Sequence, residues 1–257
     1  MTRRVLVAAI TIFGLAALPS CGRGAGSSSS CTATAAEGTA RLAPDQALNA
    51  TTIAAVGNRL GLPDHAVTIA LAAALQESKL RNLTGGDRDS VGLFQQRPSQ
   101  GWGPRAQLLD PVFTSRAFFA GLAKVDGWES MAVTDAAQRV QHSAGPTAYA
   151  AWEPEARILA RALTGEVATG LACRLARTGT AAGLETAIGA ELGPPAAGVR
   201  VTASRGWLVS SWLVAHASRY PIGTVAFSGQ RWSVGSGQWA ADPTAGQSVT
   251  FAAAARS

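Results

Sequence analysis

The chain is nearly without lysine. Lys79 and Lys124 are the only lysines, and arginine carries the rest of a net charge of +6. No basic run interleaved with aromatics is present, so the charge does not form the footprint of a nucleic-acid-binding surface. It suits an anionic cell envelope, and equally plain solubility. Histidine is also scarce: His65, His142 and His216 share no ligand spacing, so neither a metal nor a cofactor is expected. No Ser/His/Asp or Cys/His arrangement is readable, and the glycines form no phosphate cradle. After Pro19 no apolar run approaches the roughly 20 residues of a membrane-spanning helix, which excludes a polytopic transporter.

The N-terminus is where the apolar residues first gather. Arg3 and Arg4 precede Val5–Pro19, an uncharged apolar run of the length of a secretory h-region. Leu18-Pro19-Ser20-Cys21 follows and resembles a lipobox, which implies lipidation of Cys21 and a membrane anchor. Ordinary signal cleavage, with Cys21 lost or left free, is the alternative. The glycine- and serine-rich stretch after it reads as a flexible tether. The expected location is outside the cell, either on the outer face of the cytoplasmic membrane or in the wall.

Export places the remaining thiols in an oxidising compartment. Cys31 and Cys173 are then the residues left to pair as a disulfide, the alternative being two separate buried thiols.

Helix signals dominate the first half. Asp45 opens a helix to about Leu60, with Gly61 as its stop. Pro63 and Asp64 open a second, to about Leu80. A loop rich in glycine, aspartate and proline runs from Asn82 to Gly103. Asp110-Pro111 starts a third helix, Thr134 caps a fourth, and Tyr149 to Leu163 forms a fifth. After Cys173 the texture changes. Strands are expected at Val199–Thr202, Thr224–Phe227 and Ser248–Phe251, around a helix from Gly206 to Tyr220. Trp207, Trp212, Trp232 and Trp239 in this part read as core, with a ligand-binding face as the alternative. The fold class expected is a mainly α domain over 31–173, after a signal and tether over 1–30, followed by a small α/β (α+β) domain over 180–257.

The second helix carries an anomaly. At about 100° per residue, Val67, Ala70, Leu71, Ala74 and Leu75 share one face, and His65, Thr68, Gln76 and Lys79 share another. Glu77 does not lie with that polar group; it falls on the far side, among Ala66, Ala70 and Ala73. A carboxylate there loses hydration, which raises its pKa, and a general acid for glycoside cleavage needs that shift. A buried pair between Glu77 and Arg81, one turn apart, is the competing reading.

Glu77-Ser78, an irregular loop, and then Gly92-Leu93-Phe94-Gln95 resemble the signature of the soluble lytic transglycosylases and the related goose-type lysozymes of the lysozyme-like superfamily. The family's methionine is replaced by Phe94. The resemblance covers the helical part, from about Pro44 to Gly165, and does not extend past Cys173. It implies a peptidoglycan-cleaving enzyme in which Glu77 protonates the oxygen between N-acetylmuramic acid and N-acetylglucosamine. Ser90, Gly92, Gln95, Gln96 and Trp102 would contact the glycan, Trp102 as a stacking platform or merely a loop anchor. Tyr149 matches the family's acid-facing tyrosine, without its usual Tyr-Asn-x-Gly wording. A hydrolase needs a second carboxylate, for which Asp87 and Asp89 are placed, although aspartates in such a loop also form turns. A transglycosylase needs none, because the muramic 6-hydroxyl attacks. The partner expected is the peptidoglycan glycan strand. The alternative function is an inactive lysozyme-like module that binds wall glycan or an envelope protein.

Overall fold

The computed structural model describes residues 29–142, 145, 147–194 and 197–254. The apolar N-terminal run, Cys21 and most of the tether lie outside them. The described chain opens with a hairpin, β1 (Ser30–Ala35) and β2 (Gly38–Leu42). Strict alternation makes it a strand pair: Cys31, Ala33 and Ala35 point inward while the threonines between them face out. Helix α1 (Pro44–Arg59) follows, with proline in its first turn and the Gln46 side chain accepting from the Ala43 amide at 2.8 Å. Gly61, at φ +71, ends it.

Helix α2 (Asp64–Ser78) is the centre of the molecule. All residues from Ala66 to Leu75 are buried, because α1, α4 (Pro111–Leu122), α5 (Val133–Gln141) and α6 (Glu153–Leu163) pack around it. A short helix, α3 (Arg105–Leu108), precedes α4. The polar face expected on α2 reaches solvent only toward the helix ends, at His65, Gln76 and Lys79. Thr68 is buried and satisfies its hydroxyl on the Asp64 carbonyl. An alanine-rich helix suits this position, since small side chains let several neighbours approach at once.

Strand β3 (Leu171–Arg174) returns to the first hairpin and pairs antiparallel with β1, giving the order β2-β1-β3. The register sets Cys31 opposite Cys173, and the two are joined by a disulfide. The second half adds α7 (Leu184–Glu191), α8 (Ala203–His216) and an antiparallel sheet of β4 (Ile222–Phe227), β5 (Gln230–Ser233), β6 (Trp239–Ala241) and β7 (Thr250–Ala253), in the order β6-β5-β4-β7.

The expected fold class is overturned. The protein is mixed α/β, with two antiparallel sheets and substantial β structure in its C-terminal half, not a mainly helical domain with a small appendage. Helix α8 packs on α1, α6 and β3, and one continuous apolar core runs through both halves. The tryptophans make the seam. Trp232 donates its indole N–H to the Cys173 carbonyl at 3.2 Å, and Trp239 donates to Leu171 at 2.8 Å. Trp207, Trp212 and Trp232 are buried and Trp239 partly so, which makes them core. The segment expected as a strand at Val199–Thr202 is irregular, held by a single bridge from Arg200 to Ser248. Among the described residues no helix is long and apolar enough to cross a membrane.

Candidate active site

Glu77 sits on the last turn of α2, where the helix breaks into two consecutive left-handed residues, Lys79 (φ 55) and Leu80 (φ 59). Neither is glycine, so the turn is strained. Helix α1 compensates by binding both carbonyls: Gln46 donates to Lys79 and Asn49 to Leu80, each at 2.8 Å. Ser78, beside Glu77, is buried and donates to the Leu93 carbonyl at 2.7 Å. The Glu-Ser pair thus has two jobs: serine ties the loop to the helix end, and glutamate faces the space between them.

The loop is built from its own polar side chains. Gly92, at φ +80, passes so close to α3 that a Cβ there would lie 2.2 Å from the Leu108 carbonyl oxygen. Gln95 is also left-handed, and its amide donates to the Gly92 carbonyl at 3.1 Å. The Ser90 hydroxyl lies 3.1 Å from Gln95 Oε1 and 2.8 Å from the Asp87 carbonyl oxygen. Gln96 is buried and accepts from Thr114 at 2.7 Å, while its Nε2 has no partner among the described residues. Asp89 receives Arg97 Nε, the Ser99 amide and the Ser99 hydroxyl, and these donors hold its carboxyl far below the usual range. It is a loop organiser. Asp87 is exposed and closes a turn with Ser90, as aspartate there is apt to do.

These pieces enclose a cleft of about 480 Å³, lined by Glu77, Asp87, Ser90, Phe94, Gln95, Gln96 and Trp102, with Arg88, Arg97 and Gln100 around them. Of the residues expected from sequence, Gly92 supports the cleft from behind, and Asp89 lies outside its lining. Trp102 is half-buried against Gly121 of α4 and turns part of its surface to the cleft.

Tyr149, fully buried, donates its hydroxyl to Glu77 Oε1 at 2.7 Å. The fold thus brings Tyr149 onto the acid, without the usual Tyr-Asn-x-Gly wording around it. Gln141, at the end of α5, escaped sequence reasoning. It donates to the Phe94 carbonyl at 2.7 Å, and its amide favours the charged form of the Glu77 carboxyl. Only its place on a helix packed against α2 marks it, and no local motif does. On the other flank Trp152 donates to Gln76 Oε1 at 2.7 Å, and Lys79 Nζ lies 3.9 Å over the Trp152 ring.

No protein-family model matches this chain. No curated protein matches it either. The cleft must be read from its own chemistry.

Burial raises the Glu77 carboxyl above its ordinary value, against the opposing bonds from Tyr149 and Gln141 and the more distant charge of Lys79. Arg81 does not pair with Glu77; its guanidinium meets Asp45 on α1. The buried Glu77–Arg81 pair is thereby excluded. The result is a protonatable acid, oriented by the Tyr149 hydroxyl, at the wall of a polar cleft. Among the described residues no three His, Cys, Asp or Glu side chains converge on a common point.

Proposed function

We propose that the protein cleaves the glycan strand of peptidoglycan between N-acetylmuramic acid and N-acetylglucosamine, with Glu77 as general acid. The observation that carries this reading is the half-buried Glu77 carboxyl, raised by burial and aligned by Tyr149 inside a cleft with an aromatic wall. The motif resemblance, Glu77-Ser78 followed by Gly92 to Gln95, points the same way. The Cys31–Cys173 disulfide is consistent with an exported protein, where such a substrate lies.

The placing of the other two carboxylates favours transglycosylation, because neither is buried and aligned as Glu77 is. Asp89 is consumed by Arg97 and Ser99, and Asp87, at the cleft wall, keeps its carboxylate in solvent beside Arg88 while its main-chain carbonyl takes the Ser90 bonds. In the reaction Glu77 gives its proton to the leaving oxygen as the bond from C1 to that oxygen breaks. The muramic 6-hydroxyl then bonds to C1, and its proton returns to the Glu77 carboxylate. The products are a 1,6-anhydro end and a free 4-hydroxyl. Purified protein incubated with peptidoglycan, with fragments read by mass spectrometry, tests this. Anhydro ends are expected; hydrated reducing ends would assign a hydrolase instead.

A second reading is a module that binds glycan without turnover. Gln95, which the resemblance assigns to the sugar, spends its amide on Gly92 and Ser90, and that favours it. It predicts co-sedimentation with insoluble peptidoglycan and no released fragments.

A further inference from the structure

A second cavity, of about 540 Å³, shares no lining residue with the Glu77 cleft. It opens where α7 meets α1, α4 and the end of α8, and Glu191, the last residue of α7, forms part of its wall. Only 11% of the Glu191 side chain is exposed. Its Oε2 accepts from Thr52 Oγ1 and from Trp212 Nε1, both at 2.7 Å, and faces His216 Nε2 at 3.7 Å. Burial works to raise this carboxyl, but His216, Trp212 and Thr52 together outweigh it and hold it below its usual range. These three partners thus favour the charged form of a largely buried carboxyl.

The two oxygens are used unequally. Oε1 has no donor among the described residues, and it is not sealed from solvent. A buried carboxylate ordinarily fills its acceptor sites, so Glu191, in the cavity wall, is a fixed anion with one oxygen left unused. The other charged groups on the wall are Asp110, Arg116 and Arg219. Asp110 is committed to capping α4, accepting from the Val112 amide at 2.9 Å. Arg116 reaches the Ala190 carbonyl at 3.2 Å, and Arg219 lies 5.6 Å from the Tyr220 ring. Neither arginine has a carboxylate within 4.0 Å among the described residues.

This pattern selects by charge. A bare anion meets Glu191 and a bare cation meets two arginines, whereas a molecule carrying both signs satisfies each end. We propose that the cavity is a binding site for a small zwitterion, an amino acid or a peptide end, with its ammonium on Glu191 Oε1 and its carboxylate toward Arg219 and Arg116. The site is independent of the glycan reading and stands or falls without it.

Trp212 supplies the reporter, because its indole N–H is bonded to the same carboxylate. The protein, labelled with nitrogen-15, is titrated with L-alanine and L-lysine, and separately with ethylamine and acetate as the two halves of the ligand. The amino acids are expected to move the Trp212 indole resonance saturably, and each half to bind at least about tenfold more weakly. Arg219→Ala removes an exposed side chain and is expected to weaken amino-acid binding at least about tenfold in a folded protein. Glu191→Gln keeps an acceptor for Thr52 and Trp212 and is expected to abolish the preference for the zwitterion over acetate. Should that variant fail to fold, Arg219→Ala decides alone. Absence of any saturable shift with either amino acid, equal affinity for the zwitterion and its halves, or unchanged affinity in Arg219→Ala would overturn the proposal.

Discussion

Tyr149 donates its hydroxyl to Glu77 Oε1 at 2.7 Å from a position 72 residues away in the chain. Two opposing influences meet on that carboxyl. Burial favours its neutral form, and the tyrosine bond favours its charged form. The balance is raised, so the acid holds its proton to higher pH than a free glutamate.

Removing the tyrosine hydroxyl should tip the balance further. In Tyr149→Phe the ring still fills its buried site while the charge-favouring bond is lost. Activity that needs protonated Glu77 declines as pH rises through its pKa, so the alkaline limb of the cleavage profile should move to higher pH. A pH–rate profile of the two proteins checks this; a limb that moves to lower pH would contradict it.

The same carboxyl costs stability when ionised. Its folded pKa lies above its unfolded one, so its contribution is fully present below the unfolded value and is lost as pH rises through the folded value. Glu77→Gln should therefore melt higher than wild type at neutral pH, and the difference should shrink toward pH ~4. Thermal unfolding at both pH values reads it. Such a gain on removing an acid is common where function holds a group in an unfavourable setting.

Gly92→Ala tests the loop. The new Cβ would meet the Leu108 carbonyl oxygen in a left-handed backbone, and a loss of about 2 kcal/mol or more is expected. Ser78→Ala, which leaves the buried Leu93 carbonyl without its donor, should cost about 1–2 kcal/mol. Urea unfolding measures both, and equal stability of Gly92→Ala and wild type would show that the loop is not fixed as described.

The disulfide closes a loop with a sequence separation of 142 residues. Chain entropy puts its contribution at about 5 kcal/mol at most. The Cys31→Ala, Cys173→Ala double variant should lose a large part of that in denaturant unfolding, since β1 and β3 are then held by their ladder and by packing and indole bonds rather than a covalent link.

Much of the site could be read from sequence because its parts are local. The helix carrying Glu77, its stop near Leu80, the loop to Gly103 and the Asp110 cap all depend on short-range chemistry. Pairing of Cys31 with Cys173 is one of two readings of the sequence, resting on an expectation of export, with two separate thiols as the other, and the disulfide decides between them. What stayed hidden depends on contacts distant in the chain. The β1–β2 hairpin is short and made of alanine and threonine, so its alternation of burial barely registers as hydropathy. Strand β3 has meaning only beside β1. The tryptophans look like a ligand face or the core of a separate domain until their indoles are seen on β3 carbonyls. Gln141 and the Arg81–Asp45 pair are likewise set by how α1, α2 and α5 meet.

The most direct test is the rate of fragment release from peptidoglycan by wild-type protein and by Glu77→Gln, with the variant's fold checked by circular dichroism. The account predicts 1,6-anhydro fragments from wild type and a rate lower by about a hundredfold or more in the folded variant. No release by wild type, or release undiminished in Glu77→Gln, would contradict it.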